Sequence, residues 1–395
     1  MTKKILYISN VPWDTLYGAG SSLRLHFQAL EKNFKKNNIN ADIICRYGLK
    51  EFFIKKKKSF SNIPKFLKVH KIVFYLDKID EIVNFEFKNK KNFFLKFRKK
   101  ISDFFNLITE IFFYIKIYNM NKKNNYDFIH CNSVLTIGFL NRLKKFHILN
   151  KVTTILHVRE LLINPVPIEY KKKINQINKF ICINDDTKNA LNVALPKKKK
   201  SDIEVINNPF SPGIIKISKK IDNKLKNNIT YFAIVGLVTE GKGVEFVINA
   251  FLKAKLLRSK LLVVGNGSDF KKMTEKFKKN YNIKFLGEIE DLGLTNFYEK
   301  IDFLIRGDKT TGIGRTVFEG LYSGSRIILP KRRNDKLDRY LTSFKNQIKF
   351  YKPRSEIELI KLLKSTKNVK KKIKRKNFNN FKYYSSNMIN IYSNL

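Results

Sequence analysis

The chain has 395 residues, enough for two or three domains, and 43% of them are apolar, enough for substantial cores. Lys+Arg 80 against Asp+Glu 33 gives a formal charge of +47, which attracts any polyanion; in a chain this rich in Lys, Asn, Ile and Phe it reads first as a compositional bias spread over the surface. No apolar run reaches the roughly 20 residues of a membrane span, Met1 to Leu6 runs into a strand pattern rather than a signal peptide, and the scattered Cys45, Cys131 and Cys182 exclude a disulfide framework or a cysteine metal site and fit a reducing compartment.

Lys4 to Ser9 is a buried strand that opens an α/β domain. Asn10 to Ser21 follows as a loop with Pro12, the only tryptophan Trp13, and Gly18-Ala19-Gly20; Ser21 or Ser22 then caps a helix carrying Leu23, Phe27 and Leu30. Ala41 to Cys45 is the second strand, so the unit begins a doubly wound sheet. From Glu51 to Asn125 the pattern is less regular. It holds the run Lys55 to Lys58, the Phe/Lys stretch Phe85 to Lys100, and an aromatic helix from Phe104 to Tyr118 expected to pack on the sheet. The Phe/Lys stretch is a candidate for contact with an anionic membrane surface.

Strands resume at Asp127 to His130, with a helix reaching about Lys145, then at Val152 to His157, Lys179 to Ile183 and Ile203 to Ile206. Asn184 to Thr187 caps the helix after the third of these. Ligands of open α/β sheets bind beyond the carboxyl ends of strands, where Gly18, Gly20, His130 and His157 fall. The stretch Asn207 to Asn228 is rich in Pro, Lys and Asn and marks a boundary between domains 1–210 and 211–379, with helix 380–395 expected to return to the first.

The second set opens with strand Ile229 to Val235, the glycine loop Gly236 to Gly243 and a helix carrying Val244, Val247, Ile248 and Phe251. Strand Leu261 to Val264 ends in Gly265-Asn266-Gly267, and Ile283 to Leu286 ends at Gly287. Strand Ile301 to Ile305 leads to Gly312-Ile313-Gly314-Arg315-Thr316-Val317-Phe318-Glu319, whose second half is the start of a helix. Free N–H groups at such a start favour anions, while Glu319, about one turn in, can accept hydrogen bonds from vicinal hydroxyls. A diphosphate carrying a ribose has both features. Arg326 to Leu329 is a further strand; the tail adds a helix at Ile357 to Leu363, the basic run Lys370 to Lys376 and a closing helix from Phe381 to Tyr392.

The order of these motifs resembles the group 1, family 4-like, retaining glycosyltransferases with the GT-B fold, over nearly the whole chain and most weakly from about 50 to 125. The resemblance rests on Gly18-Ala19-Gly20, on His157 at its strand end, on Asn208 before Pro209, on Gly236 to Gly243, on Gly265-Asn266-Gly267, on Phe285-Leu286-Gly287, on the segment ending at Glu319 and on Ile391 to Leu395. It implies two Rossmann-like domains facing across a cleft, the second binding the nucleotide sugar. It also implies transfer of a sugar from a nucleoside diphosphate sugar to a hydroxyl with retained configuration, in cell-surface polysaccharide or lipopolysaccharide assembly, without cofactor or metal.

By that resemblance the catalytic set is His157, Lys242 and Glu319. The donor-binding set is Gly18, Gly20, Lys242, Gly265, Gly267, Gly287, Gly314, Arg315, Thr316 and Glu319. The expected acceptor is a glycan or lipid-linked hydroxyl, with peripheral membrane contact through 85–100, a cytoplasmic location and no specific nucleic acid. Two positions depart from the family pattern: Leu237 stands where the glycine-loop arginine is expected, and Thr311 where the first glutamate of the Glu-x7-Glu motif is expected. A catalytically inactive relative is therefore an alternative reading. A dinucleotide oxidoreductase fits less well, because the loop from Ser9 to Ser21 is too long and no acidic residue closes the second strand. A nucleic-acid-binding protein is suggested by charge alone.

Overall fold

The computed structural model describes residues 2–13, 18–48, 63–74, 93–137, 152–160, 162, 166, 168–209, 228–289, 297–308, 314–331, 341–366 and 380–394. The chain divides into two compact units, Met1–Pro209 with Phe381–Leu395, and Phe210–Asn380.

The first unit is a seven-stranded, all-parallel sheet: β1 (Lys3–Ser9), β2 (Ile39–Gly48), β3 (Leu67–Phe74), β4 (Phe128–Cys131), β5 (Thr153–Val158), β6 (Lys179–Cys182) and β7 (Ile203–Val205), in the order β3-β2-β1-β4-β5-β6-β7. Alternate residues of each strand enter opposite layers, so both faces of the sheet are apolar. Leu6, Ile8, Ile129 and Leu156 join one core with helix α2 (Phe93–Asn124). Ile5, Tyr7, Phe128 and Ile155 join the other with helix α1 (Gly18–Lys36), through Leu23, Phe27, Leu30 and Phe34. After β5 and β6 come α3 (Ile168–Asn175) and α4 (Asp185–Ala194), which join the α2 side through Ile174 and Leu191. The capping expected at Asn184 is present as a reciprocal pair with Thr187.

Several elements differ from the sequence reading. Helix α1 begins at Gly18, so Gly18 and Gly20 form its first turn instead of a loop, and Ser21 and Ser22 lie inside the helix. Glycine has little helix preference of its own, so the burial of Leu23, Phe27 and Leu30 further along, rather than the composition of the first turn, holds these residues helical. Strand β3 is an edge strand whose Lys68, His70 and Lys71 obscure its pattern. Helix α2 is far longer than Phe104 to Tyr118. Phe113, Tyr114 and Ile117 enter the core as expected, but Leu107, Ile111, Phe112, Ile115 and Tyr118 are exposed. The helix expected to reach Lys145 lies beyond the described residues after 137, as do Lys55 to Lys58 and Lys370 to Lys376.

The second unit repeats the architecture with six parallel strands: β8 (Thr230–Val235), β9 (Ser259–Val264), β10 (Ile283–Gly287), β11 (Phe303–Ile305), β12 (Arg326–Pro330) and β13 (Ile348–Tyr351), in the order β10-β9-β8-β11-β12-β13. Its helices are α5 (Val244–Ala254), α6 (Phe270–Lys276), α7 (Arg315–Tyr322) and α8 (Glu356–Lys364). Helix α9 (Phe381–Ser393) returns to the first unit and packs in the same layer as α1 through Tyr384, Met388, Ile389, Ile391 and Tyr392. In each sheet the strand order reverses beside the first strand, at β1/β4 and at β8/β11. Such switch points open a crevice at the carboxyl ends of the strands.

Candidate functional site

In the second unit, the switch-point loops are held by backbone contact. Gly243 ends a short 3-10 turn at Glu240–Lys242 and starts α5 with φ 63. A Cβ there would lie 1.9 Å from the Gly307 carbonyl oxygen. Only glycine allows both the left-handed conformation and that approach. The contact fixes Lys242 beside the loop after β11, where its Nζ lies 3.1 Å from Asp308 Oδ1. Asp308 also pairs with Arg306 through Oδ2. Arg306 Nη1 donates to Thr316 Oγ1 at 3.4 Å, and the Tyr351 hydroxyl donates to the Arg306 carbonyl at 2.6 Å. The carboxylate of Asp308 is 4% exposed and the ammonium side chain of Lys242 is 43% exposed. A buried anion thus faces one enclosed and one solvent-facing cation.

Helix α7 starts at this array. Its N-cap is Gly314, and among the described residues no side chain caps its first-turn N–H groups. Arg315 Nε pairs with Glu319 Oε1 at 2.7 Å, one turn apart. The other oxygen, Glu319 Oε2, is buried and lacks a well-formed hydrogen bond among the described residues, the Tyr298 phenol being the donor turned toward this carboxylate. Burial, and then the charge of Glu319, hold the Tyr298 phenol well above its ordinary range, so it stays protonated. The described cations Lys242, Arg306 and Arg315 outnumber the carboxylates Asp308 and Glu319 by three to two.

Gly265 and Gly267 have a packing reason of their own. Cβ atoms there would lie 1.9 Å from the Gly236 oxygen and 2.5 Å from the Val238 oxygen, so these glycines dock the loop after β9 on the loop after β8. Gly287 has φ 68 and nothing near an added Cβ. Its carbonyl accepts from the Gly265 N–H at 2.7 Å. Thr311, Gly312 and Ile313 lie outside the described residues. Leu237 is 45% exposed.

In the first unit, His157 is fully buried, on the face covered by α1 and α9. It sits with His26 and His130, also fully buried, at ring-centroid separations of 6.2 Å and 5.6 Å. His26 Nδ1 contacts the Tyr384 hydroxyl, and His130 Nδ1 contacts the Tyr392 hydroxyl at 2.7 Å, which also meets the Tyr7 hydroxyl at 2.6 Å. Burial, with the charge of Arg159 and the other imidazoles, keeps all three histidines neutral, and it draws His130 down to about 3. Just past β5, Arg159 Nε donates to the Asn132 carbonyl and side chain at 3.1 Å, and its Nη1 donates to Asn208 Oδ1 at 2.6 Å.

The expected residues therefore fall into two groups. Lys242, Gly314, Arg315, Thr316 and Glu319 belong to one connected array, adjoined by the glycines 265, 267 and 287. His157, Gly18 and Gly20 belong to the first unit. In the sequence, Arg306 and Asp308 stand just upstream of Thr311 as candidates to replace some of the polarity lost there; His26, Arg159, Tyr384 and Tyr392 carry no such signal. The one local hint among them is a charged pair, Arg159-Glu160, directly after a buried strand. Among the described residues no group of three or more His, Cys, Asp or Glu could hold a metal ion, and no described helix is long and apolar enough to cross a membrane.

No protein-family model and no curated protein matches this chain. Solved structures do. Anabaena HepE in complex with UDP-glucose superposes with a TM-score of 0.68 at 14% identity, over 99% of this chain and 100% of that one. The lipopolysaccharide outer core galactosyltransferase WaaB, apo form, gives 0.62 at 15% identity over 99% and 100%. A sucrose-phosphate synthase from Thermosynechococcus elongatus gives 0.73 at 12% over 99% of both chains. Together with the two parallel-sheet units these likenesses show that the chain has the GT-B fold.

Proposed function

We propose that the protein is a retaining glycosyltransferase that moves a sugar from a nucleoside diphosphate sugar to a hydroxyl. The observation that carries the reading is the state of α7: an N-terminus with no side-chain cap among the described residues, beside a buried carboxylate, Glu319, whose Oε2 lacks a well-formed hydrogen bond among them and faces only the Tyr298 phenol. An anion suits the first and a ribose hydroxyl suits the second. The departing diphosphate gains charge as the glycosidic bond breaks. Preorganised dipoles at the helix start and the mobile charge of Lys242 stabilise it there. Arg306, held by Asp308, restores some of the basicity that Leu237 lacks. His157, neutral and unpartnered, positions sugar or acceptor and needs no role as a nucleophile. The GT-B neighbours support the donor class: one was solved with UDP-glucose and another is named a galactosyltransferase. Uridine diphosphate sugars are therefore the first donors to test.

Polysaccharide or lipopolysaccharide assembly at the inner face of the cytoplasmic membrane, without a metal or other cofactor, completes the reading. The stretch 85–100 proposed to touch lipid is described only as backbone from 93 onward. The same helix offers further support: Leu107, Ile111, Ile115 and Tyr118 recur at helical spacing on an exposed face, flanked by Phe112, Lys116, Lys122 and Lys123.

Donor hydrolysis or transfer, followed by NMR of the product anomer, tests the central claim. Glu319→Ala is expected to lower turnover by about a hundredfold or more, equivalent to roughly 2.7 kcal/mol in the transition state, and Lys242→Ala by about tenfold. Unchanged turnover in both variants would remove the assignment. A chelator is expected to leave the rate unchanged. Vesicles containing anionic lipid are expected to sediment the native chain, and Phe112→Ser with Ile115→Ser to release it.

A further inference from the structure

The first unit gathers buried imidazole nitrogens that find no hydrogen-bond partner among the described residues. On the face of the sheet covered by α1 and α9, the lower rung is apolar, Ile5 and Phe128, and the next is Tyr7 beside His130, in register across β1 and β4. One rung higher on β5 stands His157, and then Arg159. The polarity of this layer rises toward the carboxyl ends of the strands, beside the switch point.

His26 Nε2, His130 Nε2 and both nitrogens of His157 are buried and have no hydrogen-bond partner among the described residues. A neutral imidazole always carries one N–H. The hydroxyl of Tyr384 faces His26 Nδ1 and that of Tyr392 faces His130 Nδ1. When those hydroxyls donate, the imidazole protons sit on Nε2 and meet no acceptor. His157 has an unmet donor in either tautomer. Leaving one such group buried costs about 1–3 kcal/mol, so several together call for an occupant. Arg159 sets its charge. Among the described residues no carboxylate oxygen lies within ion-pair distance of its guanidinium, which donates to the oxygens of Asn132 and Asn208 and meets the Tyr384 hydroxyl, while the charge of Glu160 acts on it from farther off. Glu160, next in the chain, is engaged by the Ser133 hydroxyl and the Val134 N–H. A metal cation is disfavoured by the guanidinium, and a water carries no compensating charge. An oxyanion supplies both acceptors and charge.

We propose that Arg159 and the imidazoles of His26, His130 and His157 receive an oxyanion, a phosphate or carboxylate borne by the sugar acceptor. The word acceptor rests on the glycosyltransferase reading; the anion site itself does not.

The experiment is calorimetric titration of the full chain, at about pH 7 and physiological ionic strength, with UDP, inorganic phosphate, glucose 6-phosphate, glucuronate and glucose. One anionic sugar is expected to bind and glucose to fail, with the phosphate and carboxylate arms telling which oxyanion fits. Arg159→Gln is expected to weaken that ligand at least about tenfold while UDP affinity stays within about twofold, and the surface control Lys36→Gln is expected to change neither. The assignment is overturned if the anionic sugars bind Arg159→Gln as they bind the native chain, if UDP weakens in parallel, or if a chain that binds UDP binds no anionic sugar. Binding of an anionic sugar without any UDP binding would uphold the site and remove the glycosyltransferase reading instead. Should Arg159→Gln not fold, NMR of the native chain decides: the ligand must shift the imidazole resonances of His26, His130 and His157, and unmoved resonances end the proposal.

Discussion

The two units share one topology and differ in the chemistry they place at the switch point. The second unit sets cations against carboxylates, with Lys242 facing water and Asp308 beneath it. The first buries neutral imidazoles beside a guanidinium that, among the described residues, has no carboxylate within ion-pair distance and feels Glu160 only from farther off. The first pattern is compensated by itself and remains stable when empty. The second is stable only while its histidines stay unprotonated. The chain makes the contrast testable, since all five histidines and the only tryptophan fall within 1–209 and none within 210–380.

Acid should therefore break the comparison most strongly. An imidazole whose folded pKa is depressed takes up its proton first in the unfolded chain, so its stability contribution is present above about pH 6.5 and is lost as pH falls toward the folded value. For His130, drawn down to about 3 by burial and by Arg159, the loss is about 3 kcal/mol by roughly pH 4.5. His26 and His157 act in the same direction. Trp13, buried against α1, reports this unit alone. Its fluorescence is expected to show unfolding in the pH 6 to 4 window while circular dichroism retains the signal of the second unit. Coincident loss of both would mean that the histidines do not govern the first unit.

The second unit should instead yield to removal of its buried anion. Asp308→Asn leaves Arg306 enclosed without a charge partner, which is expected to cost about 3 kcal/mol, measured by urea unfolding. Lys242→Ala removes the solvent-facing partner of the same carboxylate and is expected to cost less than about 1 kcal/mol. Equal losses would show that Lys242 is as structural as Arg306 and would weaken its assignment to a leaving diphosphate.

Most strands could be read from the sequence because burial on both faces makes them continuous apolar runs, as in Lys3–Ser9 and Thr230–Val235. The strands missed were β3, with lysines and a histidine on an edge, and β13, four residues long. At the site, Lys242, Gly314 and Glu319 stood out because a glycine loop and a helix start are local patterns. The Arg306–Asp308 pair needs only two residues of chain but acquires meaning through Lys242, which the Gly243–Gly307 contact delivers. The histidine cluster was invisible: it joins a helix, two strands and a C-terminal helix through sheet register, and no spacing in the chain encodes that.

The smallest effects separate two glycines that look alike in backbone terms. Gly243 and Gly287 have φ 63 and 68, and an L side chain in that region costs about 1–2 kcal/mol. At Gly287 an added Cβ meets nothing within 4 Å, so Gly287→Ala is expected to cost only that backbone penalty, about 1 kcal/mol. At Gly243 the same atom would stand 1.9 Å from the Gly307 oxygen and 2.6 Å from its carbon. The loop after β11 must then move away, adding a packing cost of about 1–3 kcal/mol and drawing Lys242 from Asp308. Gly243→Ala is therefore expected to lose about 3 kcal/mol in urea unfolding and to lower turnover as Lys242→Ala does. Equal and small losses at both positions would mean that conformation alone selects Gly243. The backbone contact would then not be what presents the lysine.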